Sequence, residues 1–441
     1  MPISGFPEVL PAQRFAELAV LDRLRTTFEL HGFAPLETPA VESLDQLTRK
    51  GEIEKEVYVL RRLHADAGDD GNVELGLHFD LTVPFARFVL ENAGRLEFPF
   101  RRYQIQKVWR GERPQQGRYR EFTQADIDVI ARDTLPFHHD VEVARVMAEA
   151  LSTLDFLPPL RLQVNNRKLI QGFYTGLGAP DVAAVMREID KLDKVPAEVV
   201  HRALIGTAGL TSEQADQCLA LAQVSSADTS FVPAVEALGV KHELLAEGLA
   251  ELAAVIEGCA GITGVTVEAD LRIARGLDYY TGTVFETRMQ GYESLGSVCS
   301  GGRYDSLASD GKVTYPGVGI SLGVTRLLMP LFQRGELSTS RSVPSAVLVA
   351  LPNEDDRAAC DAIAQQLRAR GIATEVAATP QKFGKQIRYA ERRGIPFVWF
   401  PGDTHEVKDI RSGDQAVADP AVWTPPTEDL HPQVVFTEDI P

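Results

Sequence analysis

Phe15, Leu18, Leu21, Leu24 and Phe28 recur at steps of three or four, so the stretch from Arg14 to Leu30 predicts an amphipathic helix, with Gly32 as its stop. Pro35 and Pro39 in the following PLETPAVES permit an extended or edge segment and forbid a central strand. In GLHFDLTVPFARFVL the pattern predicts a strand ending near Asp80 and a helix from about Phe85. Asp80 then sits where a strand passes into a helix, a place where side chains face a cleft, while Thr82 by itself suits a helix cap.

Between Arg101 and Ile130, YQIQKVW and FTQADIDVI alternate as two strands, and GERPQQGRY, with its Pro and Gly, separates them. The expected unit is an antiparallel pair joined by a long exposed loop. A two-residue turn would join the strands at less entropic cost, so the length of this loop points to a task beyond connection. Val141, Val143, Met147, Leu151 and Leu154 predict a helix from His138 to Phe156. From about residue 165 to 257 the chain is rich in Ala, Leu, Glu and Gln and reads as a helical insertion without a catalytic constellation.

Strands return with GVTVEADLRIARGLDYYTGTVFETRM, and GVGISLGVTRLLM reads as a glycine-punctuated strand entering a helix. Gly319 and Gly323 clear one face of that strand, which marks close approach of a ligand or backbone. The polar, Pro-containing residues 335–345 predict a linker. Beyond it AVLVAL, a helix from Glu354 to Arg370, IATEVA, a helix around Lys382 to Arg393, and PFVWF alternate as in a small, largely parallel α/β domain over 346–425. The Pro- and acid-rich chain after Trp423, including the tail 426–441, is expected to be poorly ordered.

Charge changes this picture. The 441 residues carry a net −17, which disfavours indiscriminate nucleic-acid binding. It leaves room for a specific RNA held by local basic patches. Arg101 to Arg120 holds seven Lys/Arg against the single acid Glu112, and KFGKQIRYAERR holds five against one. The four cysteines are far apart, with no CxxC and no zinc spacing, so reduced thiols and a cytoplasmic location are expected. MPISGFPEVL lacks a signal-peptide pattern, and no apolar run reaches the roughly 18 residues of a membrane span. His138, His139 and Asp140 could be metal ligands, but adjacent positions on a helix point apart, and they read as surface residues.

Arg110, Arg113, Arg118, Arg275 and Arg326 are permanently charged forks suited to phosphate oxygens. Asp80, Gln124, Asp128, Tyr279 and Tyr280 suit a small zwitterion with an amine and a polar ring. There is no Walker sequence, kinase set, usable dinucleotide fingerprint or GxSxG elbow, so the phosphates would lie on arginines of a sheet.

These residues also carry a resemblance. VWRGERPQQGRYREFTQADIDV resembles the second signature motif of class II aminoacyl-tRNA synthetases, and GVGISLGVTRLL the third. ARGLDYYTGTVFE and SGGRYD are similar to two segments peculiar to histidyl-tRNA synthetases. KFGKQIRYAERRGIPF with VKDIRSGDQ resembles that family's C-terminal anticodon-binding domain.

The resemblance implies an α+β fold, with a class II antiparallel sheet of six or seven strands flanked by helices in a catalytic domain over 1–334, followed by an α/β anticodon-binding domain. It implies ATP-dependent activation of L-histidine to histidyl-adenylate, transfer to the 3′ end of tRNA(His), Mg2+ with the ATP, no protein-held metal, and a homodimer with Pro39 near its interface. Arg110 would contact the α-phosphate and the amino-acid carboxylate, Glu112 the adenine or ribose, and Arg326 the γ-phosphate. Asp80 and Thr82, assisted by Gln124, would hold the amino group. Asp128 and Tyr280 would read the imidazole, with Tyr279 lining the same pocket. Arg275 would face Arg110 across the α-phosphate, and Gln115, Gln116 and Arg118 would approach the tRNA acceptor end. A histidine-binding regulatory relative of such enzymes would lack the anticodon domain and the arginines, and a generic RNA-binding adaptor would not need RGLDYY.

Overall fold

The computed structural model describes residues 3–48, 56–63, 74–274, 279–309 and 311–437. Arg275 lies outside the described residues. The chain forms two units, residues 1–7 with 21–330, and 8–20 with 331–441.

The elements follow one another as α1 (Pro11–Leu30), β1 (Ala34–Pro35), β2 (Val41–Ser43), α2 (Leu44–Leu47), β3 (Val59–Leu60), β4 (Leu75–Leu77), α3 (Thr82–Asn92), β5 (Phe100–Trp109), β6 (Glu121–Ile130), α4 (His138–Ser152) and β7 (Leu160–Asn166). A helical stretch then runs through α5 (Arg167–Gly176), α6 (Val182–Ile189), α7 (Ala197–Gly206), α8 (Ser212–Ala222), β8 (Ser225–Ser226), α9 (Phe231–Glu236) and α10 (Glu243–Gly258). The first unit continues with β9 (Val265–Asp270), β10 (Tyr280–Met289), β11 (Cys299–Ser309) and β12 (Thr314–Gly323), after which comes α11 (Val324–Arg334).

The buried stripe of α1 is Ala16, Val20, Leu24 and Phe28, at steps of four, whereas Leu18 is exposed. The expected stripe counted large residues and passed over Ala16, whose small side chain permits close packing.

Among the described residues nine strands form the main sheet in the order β1-β5-β6-β12-β11-β10-β7-β9-β8, more than the six or seven expected. Its centre is six consecutive antiparallel strands, β5 to β7 in that order. The additions are at the edges: β1 pairs parallel with β5, and β9 parallel with β7. The two residues of β1 give no periodicity from which a strand could be predicted.

Alternation along the central strands sorts side chains by face. On β6, Ala125, Ile127 and Val129 share the apolar face, and Gln124, Asp126 and Asp128 the other; all six are buried. The register carries the second set across the sheet, because Gln104 pairs with Asp126, Asp126 with Ser321, Ser321 with Ser300, Ser300 with Glu286, Glu286 with Gln163 and Gln163 with Glu268. One polar residue from each of seven strands therefore lies in a single row.

His139 and Asp140 are buried, at 2% and 0% exposure, so the surface reading of that pair is wrong. Asp140 accepts from Thr283 Oγ1 at 2.6 Å and from Arg303 at 2.9 Å, and His139 Nδ1 meets Glu142 at 2.6 Å. These partners come from β10, β11 and the helix itself, and only the first two are remote in sequence. Among the described residues no group of His, Cys, Asp and Glu is placed to hold a metal, and no helix is long and apolar enough to cross a membrane.

In the second unit β14 (Val347–Val349), α12 (Arg357–Ala369), β15 (Thr374–Val376), α13 (Phe383–Arg393) and β16 (Phe397–Phe400) build a parallel core. β17 (Glu406–Asp409) and β18 (Gln415–Val417) extend it antiparallel. The stretch read as a linker contains β13 (Leu337–Thr339), paired with β19 (Val434–Phe436) in the stretch read as a tail.

The chain after Trp423 is also fastened. Trp423 packs edge-on against Trp399 at 5.6 Å, and Arg411 grips Asp409 and Asp429. Arg370 donates to the carbonyls of Pro420, Val422 and Trp423. Composition counted the prolines and acids and had no access to these distant cations.

The helical stretch rests on one reciprocal contact. A Cβ at Gly172 of α5 would lie 2.2 Å from the Leu245 nitrogen, and a Cβ at Gly248 of α10 would lie 2.2 Å from the Leu169 nitrogen. Backbone meets backbone there, and neither side can yield as a flexible side chain would. Gly248→Ala is expected to force the helices apart at about 1–3 kcal/mol. A thermal melt checks this, and a midpoint unchanged within a degree or so would refute it.

Candidate active site

Asp80 ends the β4–α3 connection and accepts the Val83 amide on Oδ1 at 2.9 Å. It therefore caps α3, which begins at Thr82 and not at Phe85, and Thr82 is the first helical residue with no capping bond of its own. The Val-Pro pair after Thr82 fits the first turn, where a missing N–H costs nothing.

The β5–β6 hairpin supplies the next group. Its loop closes on itself: the Arg110 amide donates to the Arg120 carbonyl, and Gln115 and Arg118 exchange backbone bonds around Gly117. Arg110 Nε donates to the Phe79 carbonyl at 3.1 Å, and its guanidinium lies 5.1 Å from the Phe122 ring centre. Glu112 pairs with Arg118 at 3.0 Å.

Asp128 is held from two sides, by Arg102 at 2.8 Å and by the Tyr304 hydroxyl at 2.9 Å. The opposite strand leaves room for it: a Cβ on Gly319 would come within 2.1 Å of Asp128 Oδ1. The Tyr279 hydroxyl donates to that of Tyr280 at 2.6 Å. Burial and the Tyr279 neighbour raise the Tyr280 phenol well above its usual range, so it stays protonated and can donate.

These side chains surround two adjoining cavities. One, of about 100 Å³, is lined by Asp80, Thr82, Gln124, Asp128, Tyr279 and Tyr280 with Tyr304. The other, of about 90 Å³, is lined by Glu112, Arg118, Phe122 and Arg326 with Gly323. Arg110, Gln124, Ser300 and Ser321 line both. The first cavity has carboxylates and hydroxyls and suits an amine and a polar ring. The second is walled by three guanidinium groups and suits phosphates. The exposed Gln115 and Gln116 line neither cavity.

Arg102, Asp126, Tyr304 and Ser321 were missed as site residues. Arg102 had counted only toward the basic total, although it is fully buried with its guanidinium 4.4 Å from the Phe85 ring. The signal was the polar run Arg102, Gln104, Gln106 on alternate positions of a strand, which places all three on one face. Arg102 also stands 4.0 Å from Asp126. One cation thus faces two buried carboxylates. Burial raises the Asp126 carboxyl to about 7, with Asp128 adding to the rise and Arg102 and Ser321 opposing it.

Known proteins share this chain's sequence and fold. Residues 5–327 match the family model for histidyl-tRNA synthetase, and residues 346–415 match the anticodon binding domain. The chain belongs to the histidyl-tRNA synthetase family. The histidine–tRNA ligase of Cutibacterium acnes is 60% identical, with 99% of each chain covered. That of Micrococcus luteus is 58% identical over the same shares. The crystal structure of histidyl-tRNA synthetase from Nostoc sp. PCC 7120 superposes with a TM-score of 0.84 at 32% identity, covering 95% of this chain and 96% of that one. An ATP phosphoribosyltransferase regulatory subunit/histidyl-tRNA synthetase from Bacillus halodurans C shares the fold at 18% identity, with a TM-score of 0.71 over 88% of this chain and 96% of that one.

The second unit carries the larger concavity, about 580 Å³, lined in part by Lys385, Arg388, Tyr389 and Arg392 of α13. Three of the five basic residues in the run read from the sequence thus line one groove.

Asp126 has a stability consequence with a definite sign. Its folded value, about 7, lies above the ordinary 3.8, so the native state holds the proton more tightly between those values. Stability therefore falls as pH rises across that window. Asp126→Asn is expected to melt at a higher temperature than the parent near about pH 8, with the gain vanishing toward about pH 4. Melts across that range test it, and a variant less stable at the alkaline end would contradict the burial argument.

Proposed function

We propose that the protein activates L-histidine with ATP and passes the histidyl group to the 3′ end of tRNA(His). The observation that carries this reading is the pair of cavities meeting at Arg110 and Gln124, anionic on one side and guanidinium-walled on the other. Histidine occupies the first cavity. Its ammonium lies by Asp80, Thr82 and Gln124, and its imidazole between Asp128 and Tyr280, with Tyr279 beside them. ATP occupies the second, with Glu112 toward the nucleoside and Arg326 toward the γ-phosphate.

In the first step a histidine carboxylate oxygen attacks the α-phosphorus. The new P–O bond forms as the bond to pyrophosphate breaks, and pyrophosphate leaves. Such an in-line displacement requires no covalent enzyme nucleophile, only positioning and stabilisation of charge on the α-phosphate. Arg110 and Arg275 supply that charge. In the second step a hydroxyl of the terminal tRNA ribose attacks the carbonyl of the adenylate, and AMP departs. Gln115, Gln116 and Arg118 guide the acceptor end, and the α13 groove takes part in holding the anticodon region.

Mg2+ accompanies ATP as part of the substrate. The active form is a cytoplasmic homodimer with Pro39 near its interface. A site that reads ring nitrogens by hydrogen bonds rejects apolar isosteres by roughly 10⁴-fold or more, which removes the need for an editing domain.

Histidine-dependent exchange of pyrophosphate into ATP, followed by charging of tRNA(His), tests the reading. Histidine binding without exchange would turn the assignment toward a regulatory protein. Arg275→Ala is expected to lower exchange by about 10²–10³-fold with histidine affinity little changed. Exchange near the parent rate would remove Arg275 from the mechanism.

A further inference from the structure

Asp126 lies between the two ligand-facing residues of β6, on the same face, and opposite Ser321 of β12. It is 2% exposed and lines neither cavity. The Gln124 amide nitrogen donates to the Ser321 hydroxyl at 2.7 Å. Ser321 stands opposite Asp126 across the β6–β12 pair, and its hydroxyl, acting as a donor, lowers the Asp126 carboxyl against the rise from burial.

A serine hydroxyl has one proton to give, and an ionised carboxylate can only accept. The proton therefore goes to Asp126, and the Ser321 oxygen accepts from Gln124. An amide has nearly the same shape in both orientations, so the hydrogen-bond network decides which end points where. Here the nitrogen is committed to Ser321. The oxygen is left at the cavity, buried and without a hydrogen-bond partner among the described residues.

We propose that Asp126 is a positioning residue that, through the Ser321 hydroxyl, holds the Gln124 carbonyl oxygen toward the ammonium group of bound histidine. The proposal rests on the placement of the amino acid in the Asp80–Asp128 cavity.

Protonation reverses the relay. A neutral Asp126 donates to Ser321, Ser321 donates to the Gln124 oxygen, and the amide turns its NH2 toward the ligand, where it repels an ammonium. Several groups bear on that carboxyl. Arg102 of β5 is permanently charged and favours ionisation, while Asp128 of the same strand and Asp80 before α3 oppose it. The Cys299 thiol of β11 is pushed far up by burial and stays neutral. With the carboxyl at about 7, the reversal falls near neutral pH. Preference for the ammonium is thus present above that value and is lost as pH falls through it.

The test compares two ligands, L-histidine and 3-(imidazol-4-yl)propionate, which lacks the amine. The ammonium of histidine lowers its ring pKa relative to that of the propionate, so each variant's affinity ratio is read against the parent's at the same pH, where the ligand titrations cancel. Calorimetry with the full-length protein from about pH 6 to about pH 8.5 spans the titration of interest. At the alkaline end the parent's ratio favours histidine. In Asp126→Asn and in Ser321→Ala the ratio is expected to be about tenfold below the parent's there and to converge on the parent's as pH falls, the size of one hydrogen bond to a charged group.

A ratio unchanged in both variants overturns the relay. An equal loss for both ligands also overturns it, because that is the mark of a merely structural role. Ser321→Ala keeps the test open if the asparagine variant does not fold. Failure of the parent to bind histidine at all would overturn the placement of the amino acid itself, and the relay with it.

Discussion

A sheet buried on both faces, with one face polar, is the constraint on which the rest of the structure depends. Buried polar atoms are costly unless they are hydrogen-bonded, and buried charges more so unless they are paired. The row from Gln104 to Glu268 commits seven neighbouring strands to meeting that requirement together. At the β7–β9 end the protein meets part of it alone, with Gln163 donating to both Glu268 and Asp270. Along the face several atoms have no partner among the described residues, among them Gln104 Oε1, Gln124 Oε1, Asp126 Oδ1 and Gln163 Oε1. Register makes this polar face consequential, because a slip of one residue in any central strand would exchange it for the apolar one.

Charge is divided along the site as well as across it. Asp80 and Asp128 border one cavity and Arg118 and Arg326 the other, with Arg110 common to both. An amino acid carries its positive and negative ends a few bonds apart, so such a gradient orients it before any specific contact forms. The hairpin achieves this because Arg110 stands at the foot of the loop, while Gln124 and Asp128 lie on the strand that returns from it.

Elements with a strong period were legible in the sequence. The β5–β6 pair, the helical stretch and the alternation of the second unit all announce themselves in local spacing. Asp80, Thr82, Gln124, Asp128, Tyr279 and Tyr280 were named from residue type and motif, and they line one cavity. What escaped depends on partners distant in sequence. Asp140 looks like a surface acid until Thr283 and Arg303 arrive from strands more than a hundred residues later. Trp423 looks like the start of a tail until Trp399 packs against it. Arg102 looks like one more surface cation until Asp128 and Phe85 enclose it. Local pattern reports which face a residue takes, and it does not report what covers that face.

Stability by itself does not account for the chemistry of this face. A buried ion pair is on average no more stable than apolar groups of the same volume, and a second carboxylate beside one guanidinium makes matters worse. Asp126 and Asp128 share Arg102, and Asp126 responds with a carboxyl raised to about 7. A fold selected for stability alone would place neutral residues at both positions. Asp128 is explained by the cavity it lines, where its charge is available to a ligand. Asp126 lines neither of the two cavities, and in the proposed relay its charge acts through Ser321, which stands opposite it across the β6–β12 pair and accepts from Gln124, a residue lining both. The sheet therefore carries a destabilising charge two residues along the strand from each of the cavity-lining Gln124 and Asp128, in the place where it can set the direction of a hydrogen bond.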